Sequence, residues 1–457
     1  MLRKLKWEIR STVFLFIVLP LGLYLWRDYQ LGRRLQSEIE AIRRRGEPLT
    51  LLEAAPKPVP DDQNAAVLYQ QVFRATFSPA HSNRIFAEFN ETEQQILDAF
   101  RERPNSTDAE WLRQKLAEPG RVTALRTLRK ASLRPHSVFP IPWENGPEAC
   151  FPHYADFRAS ARLMVQKANL VAYDGDLAEA LSWHATVMRM SRHLLDDPTL
   201  IGQLVGITVQ SISFKELKHT LRNVDLPSGT GDELDAALAA LDMRASLKAA
   251  MVAERALGID WFEVAWRDPG TCVDVGRLSQ NSFLPLLCRF SPVLGPVKKA
   301  DKLTYIRLMN DAVSAAGEPS YRSAPKVAAI EGKLLSLQPW QAPLTQVLYP
   351  IFARAGTKVD QAQADIDLCR LVLALKAHKR DTGAYPATIK QLQPSLDWTI
   401  PGDPFSGQPY VYRRQEQGFI LYSVGENAVD DGGMSEYEPQ TGKWRGTTSD
   451  TVWECVM

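Results

Sequence analysis

Residues 135–152 bring together side chains that could perform acid–base chemistry or bind a ligand. Five prolines and Gly146 exclude regular structure there, so the segment predicts an irregular loop of the kind that often carries a site. His153, which ends this loop, could form an acid–base site with Glu144 and Asp156. The alternative is a plain connection whose aromatic residues pack onto a helical body.

Other patterns associated with catalysis are missing or fail on spacing. The sequence contains no phosphate-binding loop, no G-x-S-x-G and no H-E-x-x-H. The pair Gly229 and Gly231 lacks the third glycine of a dinucleotide-binding fingerprint. His184 and His193 are nine positions apart, which places them on opposite faces of one helix, where they cannot share a metal ion. The sequence therefore assigns no catalytic residue.

The composition is that of a folded protein with balanced charge. Of 457 residues, 45% are hydrophobic and 23% are charged, and the length predicts about two or three domains. The 54 basic and 53 acidic residues leave a net charge of +1, which provides no global field for nucleic acid. Among the five cysteines, Cys272 and Cys288 could form a disulfide in an oxidising compartment or be buried thiols.

Residues 11–26 have the composition of a membrane anchor. They contain no charged residue, and ten of the sixteen positions are Leu, Ile, Val or Phe, which favours insertion into a bilayer. A cleaved signal peptide is the alternative, but no small-x-small cleavage site follows Trp26. The sequence predicts an uncleaved anchor over residues 1–30 that contacts the lipid bilayer through residues 11–26.

The charges that flank this apolar run bear on its orientation. Four basic residues before the run favour a cytoplasmic N-terminus, whereas Arg27, Arg33 and Arg34 oppose it. A short tail ahead of a large domain is usually the end that is retained. We expect a single-pass protein of the bacterial inner membrane whose soluble body lies outside the cytoplasm.

The residues after the anchor predict a mainly helical body. Residues 31–60 are expected to form a stalk and a Pro-rich linker, although the apolar stripe within residues 31–45 also suits a first packed helix. Residues 61–337 predict an irregular helical domain with helical hairpins.

Capping signals predict helix boundaries within this domain. One hairpin joins residues 155–173 to the next helix through a turn in which Gly175 ends the first helix and Asp176 caps the second. A third helix is expected to begin at Asp197 and Pro198, with the proline in its first turn. Residues 233–256 predict one further Ala-rich helix.

Residues 338–457 change character and predict a small α+β module. Residues 365–380 form a strongly apolar helical pattern. After a turn-rich link, residues 410–414 and 418–424 predict two short strands joined by a polar turn. An acidic, glycine-containing loop, residues 425–433, closes the module. The predicted fold class is thus mainly α with a small C-terminal α+β module.

The order of these features resembles the C-terminal domain of the major pseudopilin of type II secretion systems, over about residues 358–435. The residues that carry the resemblance are Asp381, Gly383, Tyr385, Pro386, Leu392, Asp403, Pro404, Pro409, Tyr410, Tyr412, Tyr422, Gly425, Asp430, Gly432 and Gly433. The resemblance implies a helix packed on a short antiparallel sheet, and a loop that binds calcium. The implied ligands are Asp430 and Asp431, with Glu426 or Asn427, since oxygen-rich loops suit a hard cation. The alternative is an acidic solvated turn.

The position of the anchor departs from the pseudopilin pattern. Pseudopilins place a membrane helix directly before this domain, whereas the anchor here lies more than three hundred residues upstream. The leading hypothesis is a membrane-anchored envelope protein with a non-enzymatic structural or interaction role, linked to secretion-type assemblies. It would have a protein partner and calcium as a cofactor, and it would not bind nucleic acid. The alternative is an extracytoplasmic hydrolase, or a ligand-binding protein that uses Trp143 and Tyr154 in the loop 135–154.

Overall fold

The structure, a computed structural model, describes most of the chain. The described residues are 16, 18–77, 91–267, 294–338, 340–349, 355–416, 418–433, 437–438, 443–444 and 451–456. Part of the predicted anchor lies outside the described residues, as do Cys272 and Cys288.

Helices dominate the described residues, which confirms the mainly α fold class. The helices are α1 (Leu19–Arg44), α2 (Leu51–Ala54), α3 (Ala65–Phe77), α4 (Glu91–Glu102), α5 (Ser106–Leu116), α6 (Pro119–Ser132), α7 (Tyr154–Tyr173), α8 (Leu177–Leu195), α9 (Leu200–Arg222), α10 (Asp232–Ala239), α11 (Met243–Arg267), α12 (Gly295–Ala316), α13 (Ser320–Ser336), α14 (Pro343–Leu348) and α15 (Ala355–Thr382). Short 3-10 helices span Trp143–Glu148 and Ile389–Ser395. The strands are β1 (Val411–Gln415), β2 (Gly418–Ser423), β3 (Tyr437–Glu438), β4 (Lys443–Trp444) and β5 (Thr451–Val456).

Two hydrophobic cores share the helices α8 and α9. The smaller core is formed by α3 to α7, with Val187 from α8 and Val209 from α9. The larger core runs from Ile42 of α1 through α10 to α15 and into the sheet, and it receives Met188 and Phe214 from α8 and α9. Positions 187 and 188 enter different cores because neighbouring residues of a helix point about 100° apart. The larger core continues across residue 338 into the C-terminal module.

From Asp28 onward, α1 is packed against the body. Ile42 is fully buried in the larger core. Asp28 pairs with Lys299 of α12 at 2.6 Å, and Glu38 forms a second ion pair with the same helix at 2.9 Å. Of the two alternatives for residues 31–45, a stalk or a first packed helix, the structure shows the packed helix.

The hairpin between α7 and α8 forms as its capping signals predict. Gly175 has a φ of +91°, a left-handed conformation that glycine adopts at little cost. The side chain of Asp176 accepts a hydrogen bond from the backbone N–H of Glu179 at 3.0 Å. Local chemistry is therefore sufficient to end one helix and begin the next here.

Two other predicted boundaries are wrong. Helix α9 begins at Leu200 rather than in the region of Pro198, because the hydroxyl of Thr199 accepts the N–H of Gly202 at 3.0 Å and caps the helix. The predicted helix 233–256 is two helices, α10 and α11. The break spans residues 240–242 and ends at Asp242, whose carboxylate accepts the N–H of Ala245 at 2.9 Å and so starts a new helix.

The C-terminal strands form a sheet against which α15 packs. The order is β1-β2-β5, and both pairings are antiparallel, with Val411 opposite Tyr422 and Phe419 opposite Cys455. Strands β1 and β2 lie where the sequence predicts them, and α15 contacts β2 and β5. Strand β5 was not predicted because it is short and pairs with β2, from which β3 and β4 separate it in sequence.

Candidate functional site

The Pro-rich segment is fixed to the helical body at several points. The side-chain amide of Asn64, just before α3, donates to the carbonyl of Val138 and accepts its N–H, both at 2.9 Å. Farther along, the 3-10 helix Trp143–Glu148 packs on α2 and α11. Gly146 has a φ of +54° there and lies close to the Asp260 side chain. The irregular segment is thus tied to helices of both cores.

The side chains of His153, Glu144 and Asp156 are not joined to one another by hydrogen bonds within the described part of the chain. The His153 side chain is buried, and its ring stacks on Phe139 with the ring centroids 3.9 Å apart. Burial lowers the pKa of His153 to about 4 and raises the pKa of Asp156 to about 7. Glu144 is exposed. The structure therefore does not bring these three groups together as an acid–base site.

The aromatic side chains of the segment cover one another. Trp143 and Tyr154 are both buried. The ring of Phe151 lies between them, stacked on Tyr154 at 5.4 Å and edge-on to Trp143 at 5.5 Å. A ligand that stacks on an aromatic ring needs an open face, and these faces are used for packing. The arrangement matches the alternative of a connection that packs aromatics onto the body.

A cluster that the sequence did not single out lies at the N-terminal end of α9. The hydroxyl of Tyr154 donates to Asp197 Oδ2 at 3.0 Å and lies 2.8 Å from Thr199 Oγ1. From α11, Glu254 Oε1 accepts the backbone N–H of Leu200 at 2.9 Å. Two carboxyl groups therefore converge on the first turn of a helix, where unpaired N–H groups attract negative charge.

The two carboxyl groups of this cluster have raised pKa values. Burial is the main cause for both, and the nearby charge of Asp197 helps to raise the pKa of Glu254 to about 7. Paired carboxyl groups with raised pKa values are typical of acid–base catalysis. Here, however, their oxygens accept the N–H groups of Thr199 and Leu200. The capping signal of Thr199 is visible in the sequence, whereas Glu254 was missed because it lies 54 positions from Leu200.

His184 and His193 occupy separate hydrogen-bonding sites. His184 Nδ1 lies 2.7 Å from the hydroxyl of Ser213. His193 lies between the hydroxyl of Tyr69 and the carbonyl of Arg134, each at 2.9 Å. Burial lowers the pKa of both histidines, to about 3 for His184 and about 4 for His193. Both rings are therefore neutral parts of the interior at pH 7.

The loop 425–433 carries the residues predicted to bind calcium. Asp430 accepts the hydroxyl of Tyr422 at 2.6 Å and the N–H of Gly432 at 2.9 Å. Its other oxygen lies 3.4 Å from the guanidinium of Arg413. The hydrogen bond from Tyr422 is the main cause of the lowered pKa of Asp430. The carboxylate therefore already has donors and a positive neighbour.

The other predicted ligands also face internal partners or solvent. The side-chain amide of Asn427 donates to Asp431 at 3.0 Å, and its oxygen accepts the N–H of Val429 at 2.9 Å. Glu426 is exposed. No group of three or more His, Cys, Asp or Glu side chains that could hold a metal ion occurs among the described residues. Hydrogen-bond donors contact both aspartates, and a cation bound here would replace them.

A melting experiment can decide whether this loop binds calcium. The melting temperature of the full chain in detergent is expected to be the same in excess calcium and in excess chelator, because the aspartates already have hydrogen-bond donors. A ligand that binds only the folded state would raise it by mass action. A rise that is lost in the double variant Asp430→Asn, Asp431→Asn would contradict this expectation and establish the calcium site.

The first half of α1 exposes apolar side chains in several directions. Leu21 is 55% exposed, Leu23 and Leu25 are each 57% exposed, and Trp26 is 62% exposed. Residues two positions apart point about 200° apart around the helix axis, so these exposed side chains do not lie on a single face. In the residues that the structure describes, no helix is both long and apolar enough to span a bilayer.

Comparisons with known proteins find no match to this chain. No protein-family model matches it, and neither does any curated protein or solved structure. A functional assignment therefore depends on the geometry of the chain itself.

Proposed function

We propose that this chain is a membrane-anchored envelope protein whose helical body has a non-enzymatic structural or interaction role. The body would lie on the extracytoplasmic side of the bacterial inner membrane. The C-terminal module, with its resemblance to pseudopilin domains, would contact a protein partner such as a secretion-type assembly. The observation that carries the proposal is α1, one unbroken helix with exposed apolar residues at one end and a buried core residue at the other.

Lipid is the medium that suits the exposed end of α1. A helix that exposes apolar side chains in several directions is stable where its surroundings are apolar, and leucine favours insertion into a bilayer. Trp26 and Tyr29 are 62% and 61% exposed, next to the charged residues Arg27 and Asp28. Exposed aromatic residues beside the first charges are typical of the membrane–water interface. These features support an interface at about the level of Trp26.

Polar contacts lock the other end of α1 to the body. Arg255 of α11 is fully buried and donates to Glu47, just beyond α1, and to Asn310 of α12, both at 2.8 Å. Removing one partner of a buried ion pair leaves an uncompensated charge, so this contact resists separation. Because α1 is continuous, the body would have a fixed orientation beside the membrane. A fixed orientation suits an element that must meet a partner at the membrane surface.

Buried carboxyl groups that could have served catalysis are used as helix caps, which supports a structural role. Asp301 of α12 accepts the N–H groups of Leu344 at 3.0 Å and Thr345 at 3.1 Å, at the start of α14. Burial raises the pKa of Asp301 to about 7. Glu254 has the same role at the start of α9. In both cases the shifted pKa accompanies a cap between helices.

Membrane extraction tests the anchor. The full chain expressed in bacteria is expected to stay with the membranes after an alkaline wash. The triple variant Leu21→Lys, Leu23→Lys, Leu25→Lys is expected in the soluble fraction, because three lysines oppose insertion together, and one lysine costs up to roughly 2.5–3.5 kcal/mol at the centre of an inserted helix. The matched control Leu335→Lys changes a leucine that is 85% exposed on α13, and it should leave fractionation unchanged.

Either of two results would contradict the proposed membrane anchor: extraction of the unaltered chain by alkali, or retention of the triple variant on membranes. A thiol label gives the orientation in the same preparation. Cys150 is exposed, so a membrane-impermeant maleimide added to intact spheroplasts should label the unaltered chain more than Cys150→Ser. Equal labelling of the two until the cells are lysed would place the body in the cytoplasm.

A further inference from the structure

Lys376, Cys455 and Tyr385 form a buried cluster of reactive side chains between α15 and β5. Lys376 and Cys455 are only 2% and 1% exposed. Lys376 Nζ donates to the carbonyl of Val224 at 2.7 Å and to Cys455 Sγ at 3.4 Å. The hydroxyl of Tyr385 lies 3.3 Å from the same sulfur. An amine and a thiol are thus held in contact in the protein interior.

The surroundings of Lys376 favour its neutral form. Burial lowers the pKa of Lys376, and the neighbouring Cys455 and the charge of Asp225 oppose that shift. Nζ and the Tyr385 hydroxyl both lie within hydrogen-bonding distance of the sulfur. A neutral amine is the nucleophilic form of lysine.

A surface cleft shares one residue, Tyr385, with this cluster. The cleft has an empty volume of about 800 Å³ and is lined by Lys379, Gly383, Ala384, Tyr385, Arg414, Gln415 and Glu416. The hydroxyl of Tyr385 lies 3.3 Å from Cys455 Sγ. An oxidant as small as hydrogen peroxide would reach Cys455 from the cleft by passing this side chain.

We propose that Lys376 and Cys455 are the site of a reversible oxidative cross-link, a sulfenamide formed with hydrogen peroxide. The thiol sulfur of Cys455 attacks one peroxide oxygen, so that an S–O bond forms and the O–O bond breaks. The thiol proton passes through the neutral amine of Lys376 to the departing hydroxide, which leaves as water. The products are a sulfenic acid, which is the first step of cysteine oxidation, and a neutral amine.

The second step joins the two side chains. The lone pair of Nζ attacks the sulfur, an N–S bond forms, the S–O bond breaks, and a second water leaves with a proton from nitrogen. Sulfur loses two electrons in total and the peroxide gains them. The link closes a loop of 79 positions between α15 and the C-terminal strand, so it restrains the unfolded chain as a disulfide does.

Peptide mass spectrometry of the full chain in detergent tests the cross-link. After treatment with hydrogen peroxide and digestion with trypsin, residues 371–379 are expected to be joined to residues 446–457, with Lys376 uncleaved. The joined peptides should weigh two hydrogens less than their sum, and dithiothreitol should separate them. The melting temperature should rise on oxidation and return after reduction.

Two variants and two internal controls sharpen the test. Lys376→Met should give no cross-link and should let Cys455 proceed to sulfinic acid, and Cys455→Ser should show no peroxide-dependent rise in melting temperature. Oxidation of the exposed Cys150 shows that the oxidant was active. The buried Cys369, which lies in α15 as Lys376 does, should form no link to lysine. The proposal fails if Cys455 stays reduced while Cys150 is oxidised. It also fails if the unaltered chain yields sulfinic Cys455 without the cross-linked peptide.

Discussion

Replacing Asp403 with alanine is expected to lower the free energy of unfolding by about 3–5 kcal/mol. The side chain is 1% exposed and joins the turn before β1 to the end of β2. It accepts the N–H groups of Phe405 and Val424, each at 2.9 Å, and the hydroxyl of Ser423 at 3.0 Å. Alanine would leave all three donors buried without this acceptor, and each such loss costs about 1–3 kcal/mol. Urea unfolding followed by circular dichroism measures the change.

Matched variants distinguish this buried acceptor from a general effect of removing a carboxylate. Asp397→Ala changes an exposed aspartate in the preceding link and should alter the free energy of unfolding by less than about 0.5 kcal/mol. Asp403→Asn keeps one accepting oxygen but directs an amide at a donor. Its loss of unfolding free energy should therefore lie between those of Asp403→Ala and Asp397→Ala. Equal stability of Asp403→Ala and Asp397→Ala would show that the turn does not depend on this carboxylate.

Replacing Glu254 with glutamine is expected to remove a pH-dependent loss of stability. The pKa of Glu254 is about 7 in the folded chain, against an ordinary value of 4.5. Between these values the folded state binds more protons than the unfolded state, so this group reduces stability as pH rises from about 4.5 to 7. The shift corresponds to about 3 kcal/mol that Glu254→Gln should recover at pH 8, since glutamine can still accept the N–H of Leu200.

The comparison of the two proteins across pH contains its own control. At pH 4.5, where Glu254 is protonated in the folded state, the free energies of unfolding of the unaltered chain and of Glu254→Gln should agree. They should then diverge steadily up to pH 7 and stay apart above it. A constant difference at every pH would mean that Glu254 ionises normally and that its contact with Leu200 has no coupling to protonation.

The fold class and several elements could be predicted because their signals are local. The turn at Gly175 and Asp176 depends on one left-handed glycine and one cap, and both can be recognised in a few residues. Strands β1 and β2 are adjacent in sequence and are joined by a short polar turn. Prediction failed within residues 233–256, where an Ala-rich pattern suits a helix throughout and the cap at Asp242 divides it.

The candidate sites were predicted less well than the elements. Residues 135–154 were selected because their side chains could do chemistry, but composition does not show which way a side chain points. In the structure the ring of His153 stacks on Phe139, while Glu144 faces solvent. The four calcium ligands were implied by a family resemblance, and no residue pattern in the loop shows that Arg413 and Tyr422 lie beside Asp430.

The sequence by itself determined what depends on neighbours within a few positions. That includes the mainly helical body, the small C-terminal module and the apolar character of the first half of α1. Helical hydrogen bonds and caps link residues about four positions apart, so a short stretch of sequence is enough to recognise them. Tertiary structure alone decided which carboxyl caps α9 and which thiol meets Lys376. Those contacts join residues 54 and 79 positions apart, and they exist only because packed helix faces bring them together.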